Sequence, residues 1–312
     1  MSTALLRPPR RGPLYVTQRA REGIAGYLCI LPWLVGFLLF TAGPFLYSLF
    51  LSLHKANFLT KSIFVGLDNY RHLLFVNKLY GIALRNTSVY AFVSVPLSVV
   101  LAMMLAMLLN QQVKGLAFWR TIFYLPAVVQ GVAVSLLWIW LFHPNFGPIS
   151  GILRAIGVND PPLWIWSEEW AMPALVIMST WGVGGSMIIY LAGLQGISQS
   201  YYDAASIDGA GAWGRFRHIT LPMMTPTVFF SLIMGIIGAW QMFAQSYVAT
   251  GGGPNNATLT AVLLIYRKAF EQFKLGYASA LAWSLFVLIL IFTLLILRSS
   301  TAWVYYEGEL AK

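Results

Sequence analysis

The sequence has one cysteine, Cys29, and only ten acidic residues in 312. A single thiol excludes an internal disulfide framework and any multi-cysteine metal site. Cys29 sits in an apolar run, where the expectation is a buried thiol acting as a small hydrophobe. Charged residues of both signs make up 10% of the chain, against roughly 25% in a soluble globular domain. With 58% hydrophobic residues, a soluble fold would expose apolar patches large enough to aggregate. The four histidines (54, 72, 143 and 218) are far apart. H-E-x-x-H and G-x-S-x-G are both missing, so no catalytic set is visible. G-x-x-x-x-G-K-[ST] is missing too, so the chain has no phosphate loop for ATP. No basic face with interleaved aromatics stands clear of the apolar runs, which argues against nucleic acid as a partner. There is no fixed-period repeat, and no matched pair of Gly/Pro-broken spans.

Asp, Glu, Lys and Arg are absent from 23–54, 86–113, 121–153, 170–202, 218–266 and 275–297. A membrane-spanning helix needs about 20 apolar residues. The long window 218–266 is broken at TGGGPNN (250–256), since Gly and Pro mark loops. The fold class is therefore all-α, a polytopic membrane protein with about six transmembrane helices near 24–51, 86–109, 119–142, 171–194, 226–248 and 276–298. The first run is longer than the 7–15 residues of a signal core, and no A-x-A site closes it; it reads as an uncleaved span. No acidic residue lies within a span, whereas a proton- or sodium-coupled carrier usually needs an intramembrane charge.

Six spans place both termini on one side. Arg7, Arg10, Arg11, Arg19 and Arg21 crowd the start of the chain, and positive residues favour the cytoplasmic side. The expected organisation is a cytoplasmic tail at 1–22, poorly ordered, a membrane domain at 23–299 and a cytoplasmic tail at 300–312. The net charge of +10 suits anionic lipid and an inside partner. Between the first two spans, Asp68 or Asn69 is placed to cap a short amphipathic helix on the outer surface. Trp164, Trp166 and Trp170 are expected at the outer interface, and Trp303, Tyr305 and Tyr306 at the inner one. Asn86-Thr-Ser and Asn256-Ala-Thr match the glycosylation pattern, which is too short to be specific.

A polar interruption between two long charge-free apolar stretches reads DAASIDGAGAWGRFRHITLP at 203–222. Its small residues at 204, 205 and 209–212 let another surface approach the backbone. Asp208-Gly209 is a break signal, with Asp suited to a helix start and Gly to positive φ. Pro222 ends the second half and suits a first helical turn. A helix–turn–helix is implied, with Arg215 and Arg217 free to meet acidic groups or lipid phosphates.

The segment resembles the EAA loop of ATP-binding-cassette (ABC) importer permeases, whose pattern is E-A-A-x-x-D-G-A followed by F-x-x-I-x-L-P. Asp203 replaces the usual Glu, while Ala204, Ala205, Asp208, Gly209, Ala210, Phe216, Ile219, Leu221 and Pro222 match. Phe64–Tyr70, Arg120–Pro126, Trp240–Pro254 and Tyr277–Phe286 resemble corresponding stretches of carbohydrate-type ABC permeases of the maltose/glycerol-phosphate class. The resemblance implies the type I importer permease fold, and a coupling loop at 196–224 that hands the force of ATP hydrolysis to a membrane pathway. It implies a homologous second permease, two ABC ATPases that use ATP and Mg, an extracytoplasmic solute-binding protein touching Gly251, Gly252, Gly253 and Pro254, and a bacterial or archaeal cell membrane. The chain itself would bind no cofactor and be no enzyme. The implied cargo is a sugar, oligosaccharide or polyol, with a sugar or glycerol phosphate also open; the chain lacks the large extracytoplasmic insertion of some maltose-type permeases, which weakens any inference to maltose itself.

Polarity suggests the substrate pathway. Gln241 and Gln245 are one helical turn apart and would share a face of the fifth span. Trp240 and Phe243 neighbour them, and amides with aromatic platforms suit sugars. In the fourth span, Trp181, Gly182, Gly185 and Ser186 combine an aromatic with small residues whose missing side chains would open a cavity. Each of these also fits plain helix packing. The alternatives are a secondary carrier or facilitator for a small polar solute, and a membrane scaffold without a pathway.

Overall fold

The computed structural model describes residues 18–57, 62–111, 114–129 and 131–305. Arg7, Arg10, Arg11, Lys61, Tyr306 and Lys312, with most of the two expected tails, lie outside the described residues. The chain divides into two units, Met1–Phe50 and Leu51–Lys312.

In the first unit, α1 (Gln18–Phe37) passes through a π-turn at Leu38–Ala42 into α2 (Gly43–Ser52). The helix thus starts at Gln18, inside the stretch expected to be tail. Glu22–Ser52 forms one run of 31 residues, about 46 Å at 1.5 Å per residue, enough to cross a ~30 Å hydrocarbon core. None of its apolar window is buried. Cys29 is accordingly exposed rather than buried, on a helix that is apolar all round. The π-turn has a local cause. The Gly43 N–H donates to the Leu38 carbonyl five residues back, and Pro44, next in line, has no N–H to donate.

In the second unit, a two-residue antiparallel pair, β1 (His54–Lys55) with β2 (Ile63–Phe64), precedes α3 (Asp68–Phe75). A short helix is expected there, but neither Asp68 nor Asn69 caps it: Leu67 precedes the helix, and the Asn69 amide donates to the Ser52 and His54 carbonyls. Then comes α4 (Lys78–Leu109), 32 residues capped by Asn77, whose side chain accepts from the Leu79 N–H. The third expected span is two helices, α5 (Leu116–Val128) and α6 (Gly131–Leu141), meeting at a 100° bend rather than one straight rod. Pro126 weakens the ladder just before the bend. A short α7 (Pro148–Ala155) follows. The fourth span is also bent, by 47°, between α8 (Glu168–Thr180) and α9 (Gly184–Gln195). Next are α10 (Gln199–Ile207), α11 (Ala212–Arg215), α12 (Leu221–Trp240), α13 (Ala261–Tyr266) and α14 (Leu275–Trp303), which runs four residues past the expected membrane boundary at 299. Four described helical runs are long and apolar enough to span a membrane, or six if each bent pair counts as one.

The helix α4 is central and packs against α8, α9 and α12. Ala83, Ala91, Ala102 and Ala106 are fully buried on it; small residues let helix backbones come close. Its C-terminal end packs in a cluster with Met187, Tyr190, Leu191, Leu194 and Met224. Its N-terminal end packs with Leu73, Leu259, Leu263, Leu264 and Leu281. The two clusters lie at opposite ends of a helix about 48 Å long. Trp164, expected at the interface, instead stacks on Phe142 in the core with centroids 4.8 Å apart, while Trp166 and Trp170 are exposed.

Close approach also decides the bend of the fourth span. A Cβ on Gly184 would stand 1.8 Å from the Phe123 carbonyl oxygen of α5, an obstacle of backbone that cannot rotate away. Overpacking a core usually costs about 1–3 kcal/mol, occasionally more. Gly184→Ala is expected to cut the yield of folded protein and lower its melting temperature in detergent, whereas Gly182→Ala, whose Cβ meets nothing within 4 Å, leaves both unchanged.

Candidate functional site

Residues 199–222 form a hairpin of two helical arms. The first arm, α10, starts at Ser198, whose side chain accepts from the Ser200 N–H. It ends at Asp208 with Gly209 at φ +77°. The Ala210 N–H reaches the Ala205 carbonyl and the Gly209 N–H reaches that of Ser206, the paired bonds of a Schellman stop. Asp208 therefore closes a helix rather than opening one; the residue before the second arm is Gly211. That arm, α11, does not stop at Pro222. It continues through a π-turn at Phe216–Thr220 into α12, so Ala212–Trp240 is one run of 29 residues. The Leu221 N–H bonds the Phe216 carbonyl and Pro222 follows without a donor, as at Gly43–Pro44.

Side chains tie the two arms together. Tyr202 and Thr220 hydroxyls lie 3.0 Å apart, and Arg215 Nη1 donates to Ser206 Oγ at 3.2 Å. Asp203 accepts from Gln199 at 3.1 Å. Arg215 is thus committed within the hairpin, while Arg217 is exposed. Phe216 and Leu221 flank the turn of the second arm; Phe216 packs on the cluster at the C-terminal end of α4. Ala204 is exposed, and Ala205 and Ala210 are half-buried at the stop. Two apolar residues stand out in solvent, Ile207 at 87% and Trp213 at 69% exposure. The sequence reading missed both; their signal was a large apolar side chain amid small and charged ones.

A second feature is a cavity of about 410 Å³ between α4, the α8–α9 bend and α12. It lies beside the middle of α4, at Tyr90, Ser94 and Ser98, and is faced by Ser179, Gly182, Ser186, Tyr190 and Ser231. None of the lining side chains is ionisable as an acid or base other than tyrosine. The hydroxyls of Tyr190 and Ser231 are buried within reach of each other and have no further hydrogen-bond partner among the described residues, and buried hydroxyls have capacity for more than one bond.

Of the residues expected on a pathway, Gly182, Ser186 and Gln245 line this cavity and the others do not. The helix ends at Trp240, so Gln241 and Gln245 do not share a helical face: Gln241 caps the helix, exposed. Trp240 is buried and stacks on Phe292 at 5.2 Å. Phe243 belongs to an aromatic group with Tyr247 and Tyr266. Trp181 meets Trp138 edge-on at 5.9 Å, and Gly185 is filled by Ala127, 3.4 Å from its notional Cβ. The break at 241–243 leaves carbonyls unpaired, and polar side chains from beyond the loop take them. Thr260 Oγ1 donates to the Met242 carbonyl at 3.2 Å.

The stretch Gly251–Pro254 is no free loop. Ser246 Oγ donates to the Thr258 carbonyl at 2.5 Å, and Thr258 Oγ1 to that of Gly253 at 2.8 Å. Arg267 donates to the Gly251 carbonyl. Asn86 on α4 donates to the carbonyls of Asn256 and Leu259 at 2.8 and 3.1 Å, so its amide is spent inside the fold. Gly252 is buried with φ +82°, and Gly251 with φ +57° is exposed.

Residues 86–304, more than half of the chain, match the family model described as the binding-protein-dependent transport system inner membrane component. The chain belongs to this family. Among curated relatives, the probable ABC transporter permease protein YesP of Bacillus subtilis (strain 168) is 39% identical, over 93% of this chain and 94% of its own length. The trehalose/maltose transport system permease protein MalF of Thermococcus litoralis is 36% identical, over 89% and 94%. A chain of a bacterial alginate ABC transporter, solved in complex with an alginate pentasaccharide-bound periplasmic protein, superposes with a TM-score of 0.79 at 23% identity, covering 91% of this chain and 96% of that one. The type I permease fold read from the sequence is therefore that of this permease.

Gly209 gives the hairpin its tightest requirement. Its Cβ would meet no atom within 4 Å, so only the left-handed backbone resists substitution, at about 1–2 kcal/mol. Gly209→Val in the permease is expected to leave overall thermal stability nearly unchanged while raising amide hydrogen exchange across 205–212 several-fold.

Proposed function

We propose that this permease is the membrane-spanning subunit of an ATP-driven, binding-protein-dependent importer for a neutral sugar, oligosaccharide or polyol. The observation that carries the substrate class is the mid-helix cavity. Its polar lining is almost wholly hydroxyl, and two buried hydroxyls there, Tyr190 and Ser231, have only each other. A polyhydroxylated solute offers donors and acceptors to both, whereas a phosphate or carboxylate would lie there without a countercharge. The relatives' names include both trehalose/maltose and sn-glycerol-3-phosphate, so the neutral class rests on the cavity alone.

Coupling rests on the hairpin. Ile207 and Trp213 are exposed apolar anchors on a cross-braced element, and buried apolar and aromatic anchors carry most interface energy. A separate ATPase binding ATP and Mg would seat these two side chains, with Asp203, Ala204, Ala205, Asp208, Gly209 and Ala210 allowing close approach. A homologous second permease with its own ATPase would complete the pathway. The solute-binding protein would meet the exposed Gly251 and its neighbours near the other end of α4. The hairpin then faces the cytoplasm with both termini, in a bacterial or archaeal cell membrane.

The test is reconstitution with the neighbouring permease, ATPase and binding proteins over a carbohydrate panel. One neutral sugar is expected to stimulate both ATP hydrolysis and uptake. Tyr190→Phe should cut uptake about tenfold, the equivalent of 1.4 kcal/mol. Ile207→Asp with Trp213→Ala should abolish sugar-stimulated hydrolysis without lowering the melting temperature. Uptake that proceeds equally without ATP would move the secondary-carrier reading to the front.

A further inference from the structure

A separate cavity of about 850 Å³ lies at the N-terminal end of α4 and shares no residue with the hydroxyl-lined one. Lys55, Lys78, Lys268, Lys274 and His72 line it, with Asp68 as the only carboxylate. Among the described residues no lysine there forms an ion pair; Lys268 Nζ donates to the Gln272 side chain at 3.0 Å. Lys78 is the first residue of α4, and Lys274 immediately precedes α14. The positive ends of two long helices therefore add to four ammonium groups. Burial, with the charge of Lys274 beside it, pushes the Lys268 ammonium below its ordinary value. The rest of the wall mixes the amides Asn57, Asn69, Asn77 and Gln272 with an apolar and aromatic part, Val65, Leu79, Tyr277 and Phe273. Its rim carries Val76 and, beside it, Phe75 at 82% exposure.

We infer that this cavity binds the phosphate headgroup of an anionic phospholipid, with the glycerol and upper acyl chain on the apolar wall. Charge selects the phosphate. The location, where two spans enter the membrane, and the exposed Phe75 and Val76 select a lipid over a small soluble ester, which would leave those side chains in water. Lys268 and Lys274 repel each other, and one shared anion would reconcile them.

The experiment is a thermal-shift titration of the full-length protein in neutral detergent with short-chain phosphatidylglycerol, phosphatidylcholine, inorganic phosphate or glycerol phosphate. Phosphatidylglycerol alone is expected to raise the melting temperature by several degrees. Lys78→Gln with Lys274→Gln should weaken its apparent affinity at least tenfold, Lys114→Gln should not change it, and Asp68→Asn should tighten it. Equal shifts with phosphatidylcholine, or unchanged affinity in the double variant, overturn the site. Equal shifts with glycerol phosphate overturn the lipid as its source. If the double variant does not fold, photoactivatable phosphatidylglycerol on the wild type decides. Cross-links on 65–79 and 268–277 support the site, and their absence from both overturns it.

Discussion

Close packing of small side chains along α4 is the constraint on which the rest of Leu51–Lys312 depends. Inside a bilayer, apolar surface gains little by leaving lipid for protein, so helices associate through van der Waals contact at short range. Four fully buried alanines on α4 allow that approach. Gly235 on α12 continues it, since a Cβ there would stand 2.9 Å from Val95 of α4, and Gly193 on α9 does the same toward α12, where a Cβ would stand 2.7 Å from Thr227 Oγ1. Where the helices draw apart, in the middle of α4, the gap is the hydroxyl-lined cavity. The site is thus a local lapse in the packing that builds the fold.

The second constraint is the cost of unpaired backbone in a low-dielectric setting. It accounts for the region after Trp240. The helix breaks there, and Thr87, Ser246, Thr258 and Thr260 supply the missing partners; the Thr87 hydroxyl accepts from the Ala261 N–H at 2.9 Å. The residues on α4 look unremarkable in the sequence because they act on backbone far away in the chain. Asn86 and Thr87 serve positions about 170 residues on.

That distance explains what was legible and what was not. Charge-free windows mark the spans because membrane insertion is dictated locally by composition. The EAA-like pattern was readable because its small residues and its turn lie in one short segment. The glycine with φ +77° was where its Asp-Gly pair suggested, although the pair ends a helix instead of starting one. Gln241 and Gln245 do not share the face that their spacing suggests, for a different reason. A helical face was extrapolated across residues 241–243, where tertiary hydrogen bonds, invisible in local sequence, end the helix. The 100° bend between α5 and α6 was hidden likewise, since apolar composition is indifferent to direction.

The uninterrupted run from Ala212 to Trp240 makes the hairpin and the cavity wall parts of one rod. Trp213 and Ser231 are 18 residues apart on it, about 27 Å along the axis. Tilting that rod by about 10° about its hairpin end would carry Ser231 sideways by about 5 Å, roughly one helical pitch. A modest angular change at the solvent-exposed anchors is then geometrically magnified at the solute. The π-turn at Phe216–Thr220 sits within this moment arm, so its stiffness sets how much of the rotation arrives and how much is absorbed as bending.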